Sequence, residues 1–348
     1  MTLALSPALL EALRDVLGPA DVRPGDPMAR YTTWRVGGPA ALVVVPRSAA
    51  ALERTVALVD AAGAPRLMLG RGSNVLADDD GIDAVVIVNR ADHTAIEGAR
   101  VETESGALLS VLARRSAAAG LAGLEWSHDI PGSVGGAVVN NAGAHGSTID
   151  AVLVRARVLT AGGAVRVVER DDLCFSYRRS VLRAHKDDGA APLDRRSSKA
   201  STATAAASPY EEELAGAVVL GATFHLTPAD PDAVQARLAA GRAHRKKTQP
   251  SGASAGSVFK NPPGDSAGRL IESSGLKGMH QGGASISTLH ANFIVAAAGA
   301  TAADVVALVA LARWRVFDAH GVILEPEIQC IYADGSTGPP ILPPLSSI

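Results

Sequence analysis

At 348 residues, 47% of them hydrophobic, the chain is long enough for two or three domains with ordinary globular cores. A formal net charge of -2 gives no field to gather nucleic acid or an anionic membrane, and 3% aromatics leave few platforms for stacking bases. Cys174 and Cys330 match no metal spacing, and no run reaches the roughly 18 apolar residues of a membrane span, so the expectation is a cytoplasmic, enzyme-sized protein with buried thiols, no metal and no protein partner evident.

Ser6-Pro7 reads as an N-cap followed by proline, with Leu9, Leu10, Leu13, Val16 and Leu17 on one face of a docking helix. After the turn-rich P-G-D-P-M-A-R-Y comes T-T-W-R-V-G-G-P-A, then an apolar strand from Ala41 to Val45. Ser48 caps a helix carrying Leu52, Val56 and Val59, which Gly63 ends. A strand from Arg66 to Leu69 runs into the turn L-G-R-G-S-N, and Ala84 to Val88 forms another. G-R-G-S-N-V lacks the third glycine of the dinucleotide fingerprint and has no amphipathic helix behind it, so phosphate binding here must rest on loop amides.

A helix around Leu108 to Ala119 leads into I-P-G-S-V-G-G-A-V-V-N-N-A-G-A-H-G at 130 to 146, where only His145 has a long side chain. Such a run serves equally as tight turns between short strands or as a cradle whose amides approach something flat or phosphorylated. The second glycine turn at 69 to 76 favours the cradle. Val152, Val154, Ala156 and Val158 alternate with Leu153, Arg155, Arg157 and Leu159 as a half-buried strand should, pairing with Ala164 to Val168 across A-G-G. The stretch from about 186 to 208 is mostly Asp, Gly, Ser, Thr, Ala and Pro, expected to be a disordered insert without catalytic duty. A strand from Ala217 to Leu226 follows.

Asp230-Pro231 starts a helix that reaches R-A-H-R-K-K at 242 to 247, read as a solvated end in preference to a phosphate contact. A short helix near Ala267 to Ser273 comes next, and Thr301 to Asp304 form a capping box for a helix burying Val305, Leu308, Val309, Ala312 and Val316. The last strand runs from Glu327 to Ile331.

T-T-W-R-V-G-G, L-G-R-G-S-N-V-L, the 130 to 146 stretch, S-Y-R-R-S, G-S-V-F-K-N-P, L-K-G, H-Q-G-G-A-S-I-S, H-A-N-F-I-V and L-E-P-E, in order from about Tyr31 to Ile331, closely resemble the UDP-N-acetylenolpyruvoylglucosamine reductase family. The resemblance implies an α+β fold: a two-lobed FAD-binding region of the vanillyl-alcohol-oxidase (PCMH) type plus a C-terminal α+β substrate-binding domain. It implies an N-terminal helix over 1–20, FAD-binding lobes over 21–90 and 91–228, the substrate domain over 229–335 and a loose tail over 336–348. FAD is the implied cofactor, NADPH the hydride donor, and UDP-N-acetylglucosamine enolpyruvate the substrate reduced to UDP-N-acetylmuramate for peptidoglycan.

By motif position, Gly70, Arg71, Gly72, Ser73 and Asn74 would hold the FAD pyrophosphate, while Pro131, Gly132, Ser133, Gly135, Gly136, Asn140, Ala142 and Gly143 would line the flavin. Ser257 would give a proton to the enolate left by hydride addition, with Arg178 and Glu327 stabilising its charge. Tyr177, Lys260, Asn261 and His290 fall at substrate-contacting positions, although a lone histidine before A-N-F serves equally as a core residue. The segment between the strand ending near Leu226 and S-A-G-S is short and has no tyrosine, so the chain resembles the lidless subgroup. A flavin oxidase of the same superfamily would need neither Arg178 nor the L-E-P-E carboxylates, and a non-catalytic flavin or nucleotide-sugar sensor predicts loss at Ser257, Arg178 or Glu327, none of which is lost.

Overall fold

The computed structural model describes residues 3, 5–144, 146–183 and 211–345. His145 and the insert expected at 186 to 208 lie outside the described residues.

Local sequence rules place most of the elements. Ser6 accepts a hydrogen bond from the Leu9 N–H at 3.1 Å and caps the helix Pro7–Leu17, whose Leu9 and Leu13 are buried. Ser48 does the same for Ala49–Ala61. That helix is the crossover between the strands Ala40–Val44 and Arg66–Leu69, which both pair in parallel with Ile82–Val88, while Val22–Pro24 adds an antiparallel edge.

The second sheet is wholly antiparallel, ordered Val165–Glu169, Leu153–Leu159, Val218–His225, Arg100–Glu104, Thr94–Glu97. The alternation expected along 152–159 fails at its start. Leu153 is buried and Val154 exposed, because a register shift between Leu153 and Arg155 turns the strand over; from Arg155 to Val158 the expected faces hold.

A third sheet, His280–Gln281, Ala284–Ile286 and Ile294–Ala296, packs against the helix Ala302–His320, which opens with the expected Thr301/Asp304 capping box. All five apolar positions expected on its inner face are buried.

Two features of the chain cut across the lobe boundaries read from the sequence. Trp34, Val36 and Leu76 belong to the C-terminal apolar core, and the Trp34 indole donates to the Ile294 carbonyl at 3.0 Å. Burying that one ring contributes about 4 to 6 kcal/mol by area as an upper bound, enough to tie the early loop to the late sheet. Val75–Ala77, at the end of the glycine turn, pairs in parallel with Gln329–Ile331. The tail is also ordered at its start: Thr337–Gly338 pairs with Cys330 and Ile331, and Leu342 packs on the same core. The reason is the free edge of Gln329–Ile331, which the tail covers.

Candidate active site

The two glycine loops meet. A Cβ built on Gly70 would stand 2.3 Å from the Ser133 hydroxyl, and one on Gly132 would come within 3.7 Å of the Ser73 hydroxyl. The 69–74 turn is backed by the T-T-W-R loop: Gly72 has φ +62, a Cβ there would lie 2.0 Å from the Tyr31 carbonyl, and Thr33 donates to the Gly72 carbonyl at 3.0 Å. Glycine is therefore required at Gly72 by both conformation and space. Among the described residues, none of the backbone N–H groups of Gly70, Arg71, Gly72, Ser73 and Asn74 donates a hydrogen bond within the protein. Consecutive open donors make a concavity suited to phosphate oxygens.

The second loop spends its donors differently. Val134 and Gly135 donate to the carbonyls of Ala107 and Ser105 at 2.9 and 2.7 Å, and Gly136 donates to the Ser133 hydroxyl, so the short helix Val134–Val139 is bound into the fold at its start. A Cβ on Gly135 would press on Ser105 at 3.1 Å. Asn140 donates to the Gly136 carbonyl at 2.9 Å, Ala142 to the Ala137 carbonyl, and Gly143 pairs with Thr148 so closely that a Cβ would meet its methyl at 2.4 Å. Pro131 is exposed and lines a cleft of about 430 Å³ with Thr33, Arg35, Arg245, Gln249 and Phe293. Small residues and open space at this junction fit a flat ring system entering between the loops. The buried Arg71 Nε, which has no hydrogen-bond partner, fits an anion beside them.

The S-Y-R-R-S turn rises against the same loop. Arg178, at φ 58, places Nη1 3.1 Å from the Gly143 carbonyl and Nε 2.7 Å from Glu327 Oε1. The latter is an ion pair whose Nε–H is not aligned for a hydrogen bond. Tyr177 is 60% exposed, with its ring beneath the Arg178 guanidinium. Burial raises the Glu327 carboxyl above the ordinary glutamate value; Arg178, and more weakly Lys260, oppose that rise without cancelling it. Glu327 precedes the strand expected to begin with it: it lies in the L-E-P-E bend, and the strand proper is Gln329–Ile331. Its carbonyl accepts from the Asn74 side chain at 3.0 Å, which joins the phosphate-type loop to the carboxylate.

Ser257 reaches the site through backbone pairing. Glu327 N–H donates to the Val258 carbonyl at 2.8 Å and Lys260 N–H to the Glu325 carbonyl at 2.9 Å, so G-S-V-F-K runs alongside L-E-P-E. The Ser257 hydroxyl has no hydrogen-bond partner among the described residues, and it opens on a cleft of about 320 Å³ with Asn261 and His290. The lone His290 is brought to the site: burial, then Lys277, depresses its pKa and keeps the imidazole neutral, and its Nδ1 accepts from the Asn292 N–H at 3.2 Å. Lys260 pairs through its ammonium with Glu325, and Asn261 accepts from the Ala267 N–H at 3.0 Å, so both also hold the fold.

Four residues hold contacts at the site that the sequence did not assign to them. Asn141, buried and left-handed at φ 42, donates to the Ser176 carbonyl at 3.1 Å and so ties the cradle to the Arg178 turn. Asn292 exchanges two 2.9 Å hydrogen bonds with the Phe259 backbone, fixing the segment after Ser257. Arg90 donates to the Gly70 carbonyl. Arg245 turns inward to the Asp129 carbonyl, which overturns the solvated reading for that one member of the basic run, while Arg242, Lys246 and Lys247 are exposed as expected. The asparagine pair of the cradle, the H-A-N-F asparagine and Arg245 in the basic run were visible as signals, but Arg90 was not. Cys330 is buried, as expected, and Cys174 only partly so. Among the described residues there is no cluster of metal ligands and no helix long and apolar enough to cross a membrane.

Residues 40–169 match the family model of an FAD binding domain, and residues 248–331 that of UDP-N-acetylenolpyruvoylglucosamine reductase, C-terminal domain. Paired glycine loops on an α+β frame, followed by a C-terminal unit, thus define a flavoprotein of the two-lobed FAD-binding class. The chain is 40% identical over 317 residues to UDP-N-acetylenolpyruvoylglucosamine reductase of Chloroflexus aggregans, covering 90% of this chain and 98% of that one. It is 37% identical over 326 residues to the reductase of Halalkalibacterium halodurans, covering 93% and 98%. The crystal structure of the reductase from Thermus caldophilus superposes with a TM-score of 0.68 at 34% identity, covering 88% of this chain and 97% of that chain. The chain belongs to the UDP-N-acetylenolpyruvoylglucosamine reductase family.

Proposed function

We propose that the protein reduces the enolpyruvyl ether of UDP-N-acetylglucosamine enolpyruvate to the lactyl ether of UDP-N-acetylmuramate, a step of peptidoglycan precursor synthesis, with FAD as cofactor and NADPH as reductant. No side chain donates hydride; FAD, when bound, supplies that chemistry. Gly70, Arg71, Gly72, Ser73 and Asn74 hold the pyrophosphate on open amides, and Pro131, Gly132, Ser133, Gly135, Gly136, Asn140, Ala142 and Gly143 line the ring.

The chain's own residues then handle charge and proton. Hydride addition at the enolpyruvyl methylene leaves carbanion character beside a carboxylate. Arg178, fixed by the Gly143 carbonyl, faces that negative charge, and Glu327, whose burial favours its protonated form, hydrogen-bonds at its other side. Ser257, with an uncommitted hydroxyl, gives its proton to the carbon and recovers one from solvent. Tyr177, Lys260, Asn261 and His290 position the nucleotide sugar.

The observation that carries this reading is the Arg178–Glu327 pair, 2.7 Å apart and held between the Gly143 carbonyl and the Asn74 amide. It puts a cation and a carboxyl with a raised pKa at the edge of a glycine cradle. The test is anaerobic: NADPH should bleach the flavin absorbance of the purified protein, and UDP-N-acetylglucosamine enolpyruvate should restore it. A reduced flavin reoxidised by oxygen but not by the enolpyruvyl compound would overturn the reading.

A further inference from the structure

We propose that Arg90, together with Arg71, forms a cationic subsite under the 69–74 loop that takes a diphosphate, and that its occupant is the diphosphate of FAD. This inference rests on the flavin reading above and adds to it a residue outside the glycine motifs.

By motif position, the glycine turn offers its backbone amides and Arg71. The structure adds a second guanidinium, Arg90. Arg90 Nη1 donates to the Gly70 carbonyl at 2.5 Å and to the Asn89 carbonyl at 3.0 Å, so the side chain lies half-buried against the turn. Arg71 Nη2 donates to the Gly106 carbonyl at 2.9 Å, and its buried Nε has no partner. Neither pairs with a carboxylate among the described residues, although their neighbours do: Arg23 and Arg47 are taken by Asp21, and Arg30 by Asp26.

Two cations held together and partly removed from water are unfavourable unless an anion answers them. Consistent with that, burial first and Arg71 second depress the Arg90 pKa to about 10, and Tyr31 and Arg47 are the other ionisable groups that reach it. Burial also lowers that of Arg71, against a weaker pull from Asp92. Both arginines remain charged at neutral pH.

The open N–H groups of Gly70 to Asn74 stand on the same turn. Donors and uncompensated charge therefore coincide, which suits a group with two negative charges and several acceptor oxygens better than a sugar or a ring edge. FAD, NADPH and a UDP-sugar all carry a diphosphate. Both arginines lie within residues 40–169, the part that matches an FAD binding domain, and the turn abuts Ser133 of the cradle, which favours FAD.

The experiment titrates full-length protein, stripped of flavin, with FAD and with riboflavin, following flavin fluorescence at low and high salt. Arg90→Met should weaken FAD binding about 10- to 100-fold, the range for losing one charge-assisted hydrogen bond. Riboflavin affinity should stay within about 2-fold, the salt dependence of FAD binding should flatten, and Arg90→Lys should recover part of the loss. Equal weakening of FAD and riboflavin would mean that Arg90 only shapes the turn, and unchanged FAD affinity would remove it from the site; either overturns the inference. Weakened NADP+ or UDP binding to flavin-loaded Arg90→Met, with FAD affinity intact, would overturn the assignment to FAD. Failure of the unsubstituted protein to bind FAD at all would instead sink the flavin reading on which the inference stands.

Discussion

Replacing Arg178 by methionine keeps an unbranched stem and removes one charge, and the structure sets what that charge does. The guanidinium lies 2.7 Å from Glu327 Oε1 with side-chain exposures of 24% and 17%, so solvent screens the pair only partly. Losing one preorganised group that faces developing charge costs roughly 3 kcal/mol, or about 100- to 1,000-fold in rate. Reduction of the flavin by NADPH creates no enolate, so the whole loss should fall on reoxidation by the enolpyruvyl substrate. Stopped-flow absorbance separates the two half-reactions.

A second consequence follows from the carboxyl. Arg178 opposes the rise in Glu327's pKa, so its removal lets burial drive that pKa further up. An acid whose folded pKa exceeds its unfolded value contributes stability that is complete below the unfolded value and is lost as pH rises through the folded one. The variant should therefore match the parent most closely near pH 4.5, the ordinary value, and fall behind progressively as pH rises, measured by urea unfolding. Adding Glu327→Gln should flatten that trend. Equal slowing of both half-reactions, or a stability gap independent of pH, would refute the argument.

Ser257→Ala should leave NADPH bleaching intact and nearly abolish reoxidation by substrate, whereas Ser257→Cys should retain much of it by donating a proton itself; equal effects on both half-reactions would make Ser257 a turn residue. Asn141→Ala should cost about 1 to 3 kcal/mol in urea unfolding, from a lost buried hydrogen bond to Ser176 and a left-handed backbone at φ 42, while Asn141→Gly should recover only the conformational part. Cys330, pushed up to about 12 by burial and then by Asp78, should resist alkylation in the folded protein at pH 8 and react once urea exposes it; rapid labelling of the native state would contradict the burial.

Local rules were legible because their causes are local. Ser6, Ser48 and Thr301 each cap the helix expected of them, since a cap depends on a hydroxyl and an amide within one turn. The pairing of Val75–Ala77 with Gln329–Ile331 was invisible, since nothing in either segment names a partner about 250 positions away. The same reason hid the tail's order, which comes from covering that strand's edge, and the reversal at Val154, which comes from a bulge set by the neighbouring strand. Composition placed no structure on Trp34, whose indole finds its acceptor at Ile294.

The site shows the same division. Ser257, Arg178 and Glu327 came from a resemblance between motifs, not from their own chemistry, because an arginine after tyrosine or a serine after glycine is ordinarily unremarkable. What the fold adds is the means by which they become one site. Asn141 joins the cradle to the Arg178 turn, the Asn74 side chain joins the phosphate-type loop to the Glu327 carbonyl, and Asn292 clamps the segment that follows Ser257. Each of the three is an asparagine whose amide hydrogen-bonds to backbone between segments remote in sequence. A carboxamide can bridge in this way without bringing charge to the site, where aspartate would place a buried anion beside the developing enolate. The charges of the site are thereby left to Arg178, Glu327 and the arginines under the glycine turn, and its geometry is left to neutral groups whose protonation does not change as the reaction proceeds.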